Sequence, residues 1–182
     1  MKQLLNKAGI VVGYAILMLI ALTMLFWIGG GLFNVSGSIP TGLYWITKRP
    51  VQTGEYVLFC PPKKAIFEEA LTRGYIRSGF CPGGFGYLMK RVLGVHGDTV
   101  SITPQGVLVN NRLIKHSVPF QKDEQERPLP KLVLNQYRLK KSELLLMTDQ
   151  SALSFDARYF GLIQRSQVKA VIKPVLTWSF TS

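Results

Sequence analysis

Apolar residues run almost unbroken from residue 8 to residue 33, and no charged side chain interrupts them. About 26 such residues suffice to cross a bilayer as a tilted helix, so the first element predicted is a transmembrane anchor over 8–33. A cleaved signal peptide would have a shorter apolar core, about 7–15 residues, closed by a small-x-small site, and neither feature stands out. Lys2 and Lys7 precede the run. They favour a cytoplasmic segment over 1–7 and leave 34–182 on the far side of the membrane. Gly29-Gly30-Gly31 weakens the helix near its end and hands the chain to Ser36-Gly37-Ser38, which therefore lies close to the membrane surface.

Beyond residue 40 the pattern changes from continuous to alternating. Short runs over 42–48, 55–60, 87–98, 99–103, 107–109, 113–116, 131–139 and 143–147 read as strands separated by Gly, Pro and Asn turns, and 166–180 supplies one or two more with Pro174 as a break. One segment departs from period two: over 63–73, Ile66, Phe67, Ala70 and Leu71 share a helical face after two prolines. Residues 121–130 are polar and carry two prolines, which predicts an exposed loop. The expected fold class is mainly β, antiparallel, with one short helix and one N-terminal transmembrane helix.

Composition narrows the partners. With 182 residues, 47% hydrophobic and 18% charged, the chain suits one modest domain plus an apolar element. The net charge of +12 could serve a nucleic-acid backbone. The positive residues are scattered through strand-like segments rather than gathered in a stripe, so no nucleic acid is expected, and anionic lipid headgroups suit the charge better. Cys60 and Cys81 frame the helical segment. Paired, they would close a loop of about 20 residues worth roughly 3 kcal/mol in an oxidising compartment; two reduced, buried thiols are the alternative. No metal or cofactor is expected, since neither His96 nor His116 has a ligand spacing.

Candidate chemistry sits at two places. Residues 34–45 put Ser36 and Ser38 around Gly37, while Pro40 biases Ile39 toward an extended backbone, a seat that presents Ser38 stiffly. The plainer reading is a Ser/Gly linker. In 87–98, Leu88, Lys90 and Val92 fall on one strand face. If that face is buried, desolvation lowers the lysine pKa, as a base requires; a surface lysine is the ordinary alternative.

Ser36-Gly37-Ser38-Ile39-Pro40, then Lys90-Arg91-Val92-Leu93-Gly94-Val95-His96-Gly97-Asp98, then residues 147–161 together resemble the boxes of the type I signal peptidases. Ser38-Ile39-Pro40-Thr41-Gly42-Leu43-Tyr44 and the short chain are similar, more narrowly, to the TraF-type peptidases of conjugative transfer. The third box departs from the family at Thr148, Gln150 and Ala157, where glycine, asparagine and serine are usual.

The resemblance implies coiled antiparallel sheets on the periplasmic side of a bacterial inner membrane, crossed once. It implies Ser38 as nucleophile and Lys90 as neutral general base, Ser154 aiming the Lys90 amine, and Asp156 with Arg158 as a supporting ion pair. Asp149 would be structural. The Ser38 amide and the Ser36 hydroxyl would face the developing oxyanion. The implied partner is a membrane-inserted precursor, a pilin-like pro-subunit, whose leader is cleaved; release by an amine in place of water would cyclise the product. Two other readings are general release of secreted proteins by the same chemistry and a non-catalytic component of a conjugation or secretion apparatus. A Ser-His-Asp arrangement using His96 or His116 is the enzymatic alternative, without a recognisable context for either histidine.

Overall fold

The computed structural model describes residues 2–178. Helix α1, Lys2–Ile28, contains the stretch Gly9–Ile28 with a mean hydropathy of 2.5, long and apolar enough to cross a membrane and not buried inside the structure. The apolar run does not continue as helix to residue 33, as the sequence suggested. Gly30 adopts φ +91, and a Cβ on Gly31 would sit 2.3 Å from the Phe26 ring, so the chain turns tightly back where side chains are missing. Strand β1, Gly31–Asn34, follows at once and pairs antiparallel with β2, Thr41–Thr47, with Gly31 opposite Trp45 and Asn34 opposite Gly42. Residues 35–40 are therefore the loop of a hairpin, not a linker.

The remaining elements are β3 (Tyr56–Phe59), α2 (Ala65–Thr72), β4 (Ser78–Cys81), β5 (Leu88–Gly94), β6 (Thr99–Thr103), β7 (Gly106–Val109), β8 (Arg112–Leu113), β9 (Leu134–Arg138), β10 (Glu143–Met147), the one-turn helix α3 (Ala157–Phe160), β11 (Ile163–Gln164) and β12 (Val168–Trp178). They form a seven-stranded sheet, β1-β2-β12-β3-β5-β10-β11, and a four-stranded sheet, β8-β7-β6-β9. All the strand pairs in the two sheets are antiparallel. The mainly antiparallel fold expected from the alternating runs is present, and α2 occupies the expected helical segment with Phe67 and Ala70 buried.

Three local expectations fail for identifiable reasons. Strand β8 stops at Leu113 instead of reaching His116, whose φ of +53 is incompatible with a ladder. Strand β12 passes through Pro174 without ending, because the register against β2 shifts between Pro174 and Leu176, and such a bulge tolerates the missing N–H. Helix α3 was not expected; it is started by Asp156, whose side chain accepts from the Arg158 N–H. Cys60 and Cys81 form a disulfide with Cα atoms 5.5 Å apart, tying the end of β3 to the end of β4 around α2.

Candidate active site

The two halves of the site come from opposite kinds of structure. Lys90 lies in β5 between β3 and β10, opposite Val57 and beside Val92, which is fully buried. Its face is the apolar one, and Lys90 itself is 3% exposed. Burial pushes the ammonium down to about 8, against an opposing pull from the Asp156 charge and a smaller push from Arg158. Arg158 grips Asp156: Nε meets Oδ1 at 2.8 Å and Nη2 meets Oδ2 at 3.0 Å, and both residues are fully buried.

The same guanidinium ties down the loop before α3, donating to the carbonyls of Ala152 at 2.8 Å, Ser154 at 2.8 Å and His116 at 3.1 Å. Ser154 is thereby held with its Oγ 2.7 Å from Lys90 Nζ. Residues 147–156 can reach Lys90 at all because β10, which leads into them, pairs with β5 through Leu146 opposite Val92 and Met147 opposite Arg91. Asp149 pairs with Arg91 on the neighbouring position of β5.

Ser38 arrives from the hairpin loop. Its Oγ lies 2.6 Å from Lys90 Nζ and 3.0 Å from Ser154 Oγ, closing a triangle of three polar atoms. Ser38 is half-buried, whereas Ser36 and Gly37 are exposed. Next to it Ile39 is 2% exposed and packs with Tyr44, Leu58 and Ile172, so the loop is pinned immediately beside the hydroxyl. Ser36 does not point its proton toward Lys90 or Ser38: its Oγ donates to Asn34 Oδ1 at 2.7 Å. Neither histidine hydrogen-bonds Ser38 among the described residues; the His96 ring meets the Leu139 carbonyl at 3.2 Å.

Asn34 is the site residue that reading the sequence missed. It is 4% exposed, and its carboxamide makes contacts at Ser36, Ile39 and Pro40. The signal was present as Asn34-Val35-Ser36, since an asparagine two residues before a backbone N–H commonly closes a turn on it.

A serine hydroxyl against a buried, easily neutralised amine, with no histidine hydrogen-bonded to the serine among the described residues, is an arrangement suited to nucleophilic acyl chemistry. The family to which the chain belongs agrees with that class. The model of the signal peptidase family, peptidase S26, matches residues 1–178, and the chain belongs to that family. It is 50% identical over 181 residues to a plasmid transfer protein TraF of Escherichia coli, covering 98% of this chain and 100% of that protein. A conjugal transfer protein TraF of Agrobacterium fabrum is 37% identical over 168 residues, covering 91% of this chain and 93% of the other. A signal peptidase I from Enterococcus faecalis superposes with a TM-score of 0.38 at 17% identity, over 68% of this chain and 97% of that one. Membership of the family implies a serine peptidase acting on a precursor protein.

Proposed function

We propose that this protein is a membrane-anchored serine endopeptidase in which Ser38 attacks the scissile carbonyl and Lys90 is its general base. The observation that carries the reading is the 2.6 Å separation of Ser38 Oγ and Lys90 Nζ with the lysine 3% exposed. Neutral Lys90 takes the Ser38 proton as the Oγ–C bond forms, and the resulting ammonium gives that proton to the leaving amine as the C–N bond breaks. Water then attacks the Ser38 ester, passes a proton to Lys90, and the collapsing intermediate takes that proton back on Ser38 Oγ. Ser154 accepts from the amine throughout, so the lone pair stays aimed at Ser38. The Ser38 N–H faces the oxyanion, and Ser36 can join it only by releasing Asn34.

The substrate is a membrane-inserted precursor; the TraF relatives are named for plasmid and conjugal transfer, and the subunit we assign to it is a pilin-type one of that process. The geometry around α1 favours a bilayer-bound bond. Phe26 in α1 meets the Trp45 ring edge-on at 5.8 Å, and Phe33, Val35, Val175 and Leu176 stay exposed around the same hairpin, an apolar and aromatic rim of the kind that settles at headgroup depth. Ser38 then sits at the depth where a leader segment leaves the membrane. With α1 entering from the basic side, the sheets lie on the periplasmic face of the inner membrane.

The test uses the full chain in detergent micelles. A pilin-type precursor and a generic secretory precursor are offered to the parent, Ser38→Ala and Lys90→Ala. Cleavage of the pilin-type precursor by the parent alone is expected; equal cleavage by Lys90→Ala overturns the reading, and preference for the secretory precursor overturns the substrate.

A further inference from the structure

Ser38 is carried by a loop that has no ladder hydrogen bonds of its own, yet its Oγ is held within 2.6 Å of Lys90. Beside the burial of Ile39, one side chain makes most of the hydrogen bonds that fix the loop. Asn34 Oδ1 accepts from the Ser36 N–H at 3.0 Å and from the Ser36 hydroxyl at 2.7 Å. Its Nδ2 donates to the carbonyls of Ser36 at 3.0 Å, Ile39 at 3.0 Å and Pro40 at 3.1 Å. Residues on both sides of Ser38 are thus tied to one buried carboxamide. The orientation of that amide is settled by its partners, because turning it over would set two donors against the Ser36 N–H and an oxygen against three carbonyls. No other residue type offers an acceptor and a forked donor at this reach: aspartate lacks the donors, and leucine lacks both.

The anchor is itself well placed. Asn34 ends β1 opposite Gly42 in the ladder, so its Cα is fixed by the sheet and not by the loop it organises. Tyr44 adds a second, one-sided tie, its hydroxyl donating to the Pro40 carbonyl at 2.6 Å.

We infer that Asn34 is the positioning residue of the nucleophile: it sets the distance and direction of Ser38 toward Lys90 and holds the Ser36 hydroxyl in the resting state. This rests on the reading of Ser38 and Lys90 given above. Asn34 touches neither substrate nor the reacting atoms; it acts through the backbone of 36–40. Displacing a nucleophile by about 1 Å costs about 100-fold in rate, so removing the clamp should slow acylation by that order without weakening substrate binding.

The experiment measures the acylation burst with a p-nitrophenyl ester, and kcat and KM on a leader peptide, using the full chain in detergent. Rates are expressed per folded molecule, scored by near-UV circular dichroism. Asn34→Asp and Asn34→Ala are expected to lose about 100-fold in burst rate and kcat with KM unchanged, and for the uncharged Asn34→Ala the pH midpoint of the burst should also stay where it is. Tyr44→Phe, which loosens only Pro40, is expected to stay within about fivefold. If Asn34→Asp does not fold, Asn34→Ala decides, since it removes the same donors without adding charge. A folded Asn34→Ala within about threefold of the parent overturns the inference, as does a loss carried by KM alone. An inactive parent, or a parent matched by Ser38→Ala, would instead refute the underlying dyad, so the two failures are distinguishable.

Discussion

The two sides of the site are stabilised in opposite ways. The Lys90 side is built from the middle of the seven-stranded sheet, with Lys90, Ser154, Asp156 and Arg158 each 6% exposed or less and a carboxylate–guanidinium pair behind them. The Ser38 side is a half-exposed hairpin loop fastened by Asn34 and by the burial of Ile39. A base must be desolvated to be neutral near physiological pH, and only a packed interior does that. A nucleophile must be reached by a bulky substrate, and only a surface loop allows it. The contrast explains why the buried charges, Lys90, Asp156 and Arg158, are confined to one side.

The largest effect should come from Lys90, the proposed base. Lys90→Arg retains charge and length, yet a guanidinium does not give up its proton, so turnover is expected to fall on the order of 10⁴-fold or more in a leader-peptide assay. Near-normal turnover by Lys90→Arg would break the comparison outright, since desolvation would then have no catalytic purpose. Lys90→Met should be equally inactive but more stable. A lysine lowered from 10.5 to about 8 destabilises the fold by roughly 3 kcal/mol wherever it must be protonated, that is below pH about 8. Between pH about 8 and 10.5 the unfolded chain binds the extra proton, so this penalty fades as pH rises. After the loss of its hydrogen bonds, Lys90→Met should gain about 1–2 kcal/mol in urea unfolding at pH 7. That gain should shrink toward pH 10.5; a gain that grows with pH would contradict the burial argument.

Next comes the ion pair. Asp156→Ala leaves Arg158 buried and unpaired and removes the cap of α3, so unfolding free energy is expected to drop by about 3–5 kcal/mol. A loss below about 1 kcal/mol would mean that the pair is not what holds residues 151–156.

The smallest effect on the site should come from the disulfide. Replacing Cys60 and Cys81 by serine is expected to cost roughly 3 kcal/mol of global stability by chain-entropy reasoning. Yet kcat per folded molecule should change little, because the bridge encloses α2 and not Lys90 or Ser38. A kcat loss with stability unchanged would place the α2 excursion in substrate binding. For the parent, activity should rise with pH through about 8 as Lys90 becomes neutral; a rate that falls across that interval would exclude Lys90 as the base.

Much of this was legible in the chain of residues. Alternation along 87–98 put Lys90 among apolar neighbours, which follows from the two-residue period of any strand. The ordered boxes named Ser38, Lys90, Ser154, Asp156 and Arg158, and the structure gathers those five residues in one place. The long apolar run marked α1, and the cysteines on either side of the helical segment marked a frame that the fold closes. Tertiary structure alone decided three things. It ended α1 at Ile28 and turned 31–34 into a strand, because pairing with β2 satisfies backbone groups that a continued helix through three glycines would hold poorly. It directed the Ser36 hydroxyl to Asn34, a choice set by which acceptor lies nearest once the hairpin closes. And it fixed the degree of Lys90 burial: period two says which face a side chain shares, but only the strands laid against that face determine how much water is removed from it.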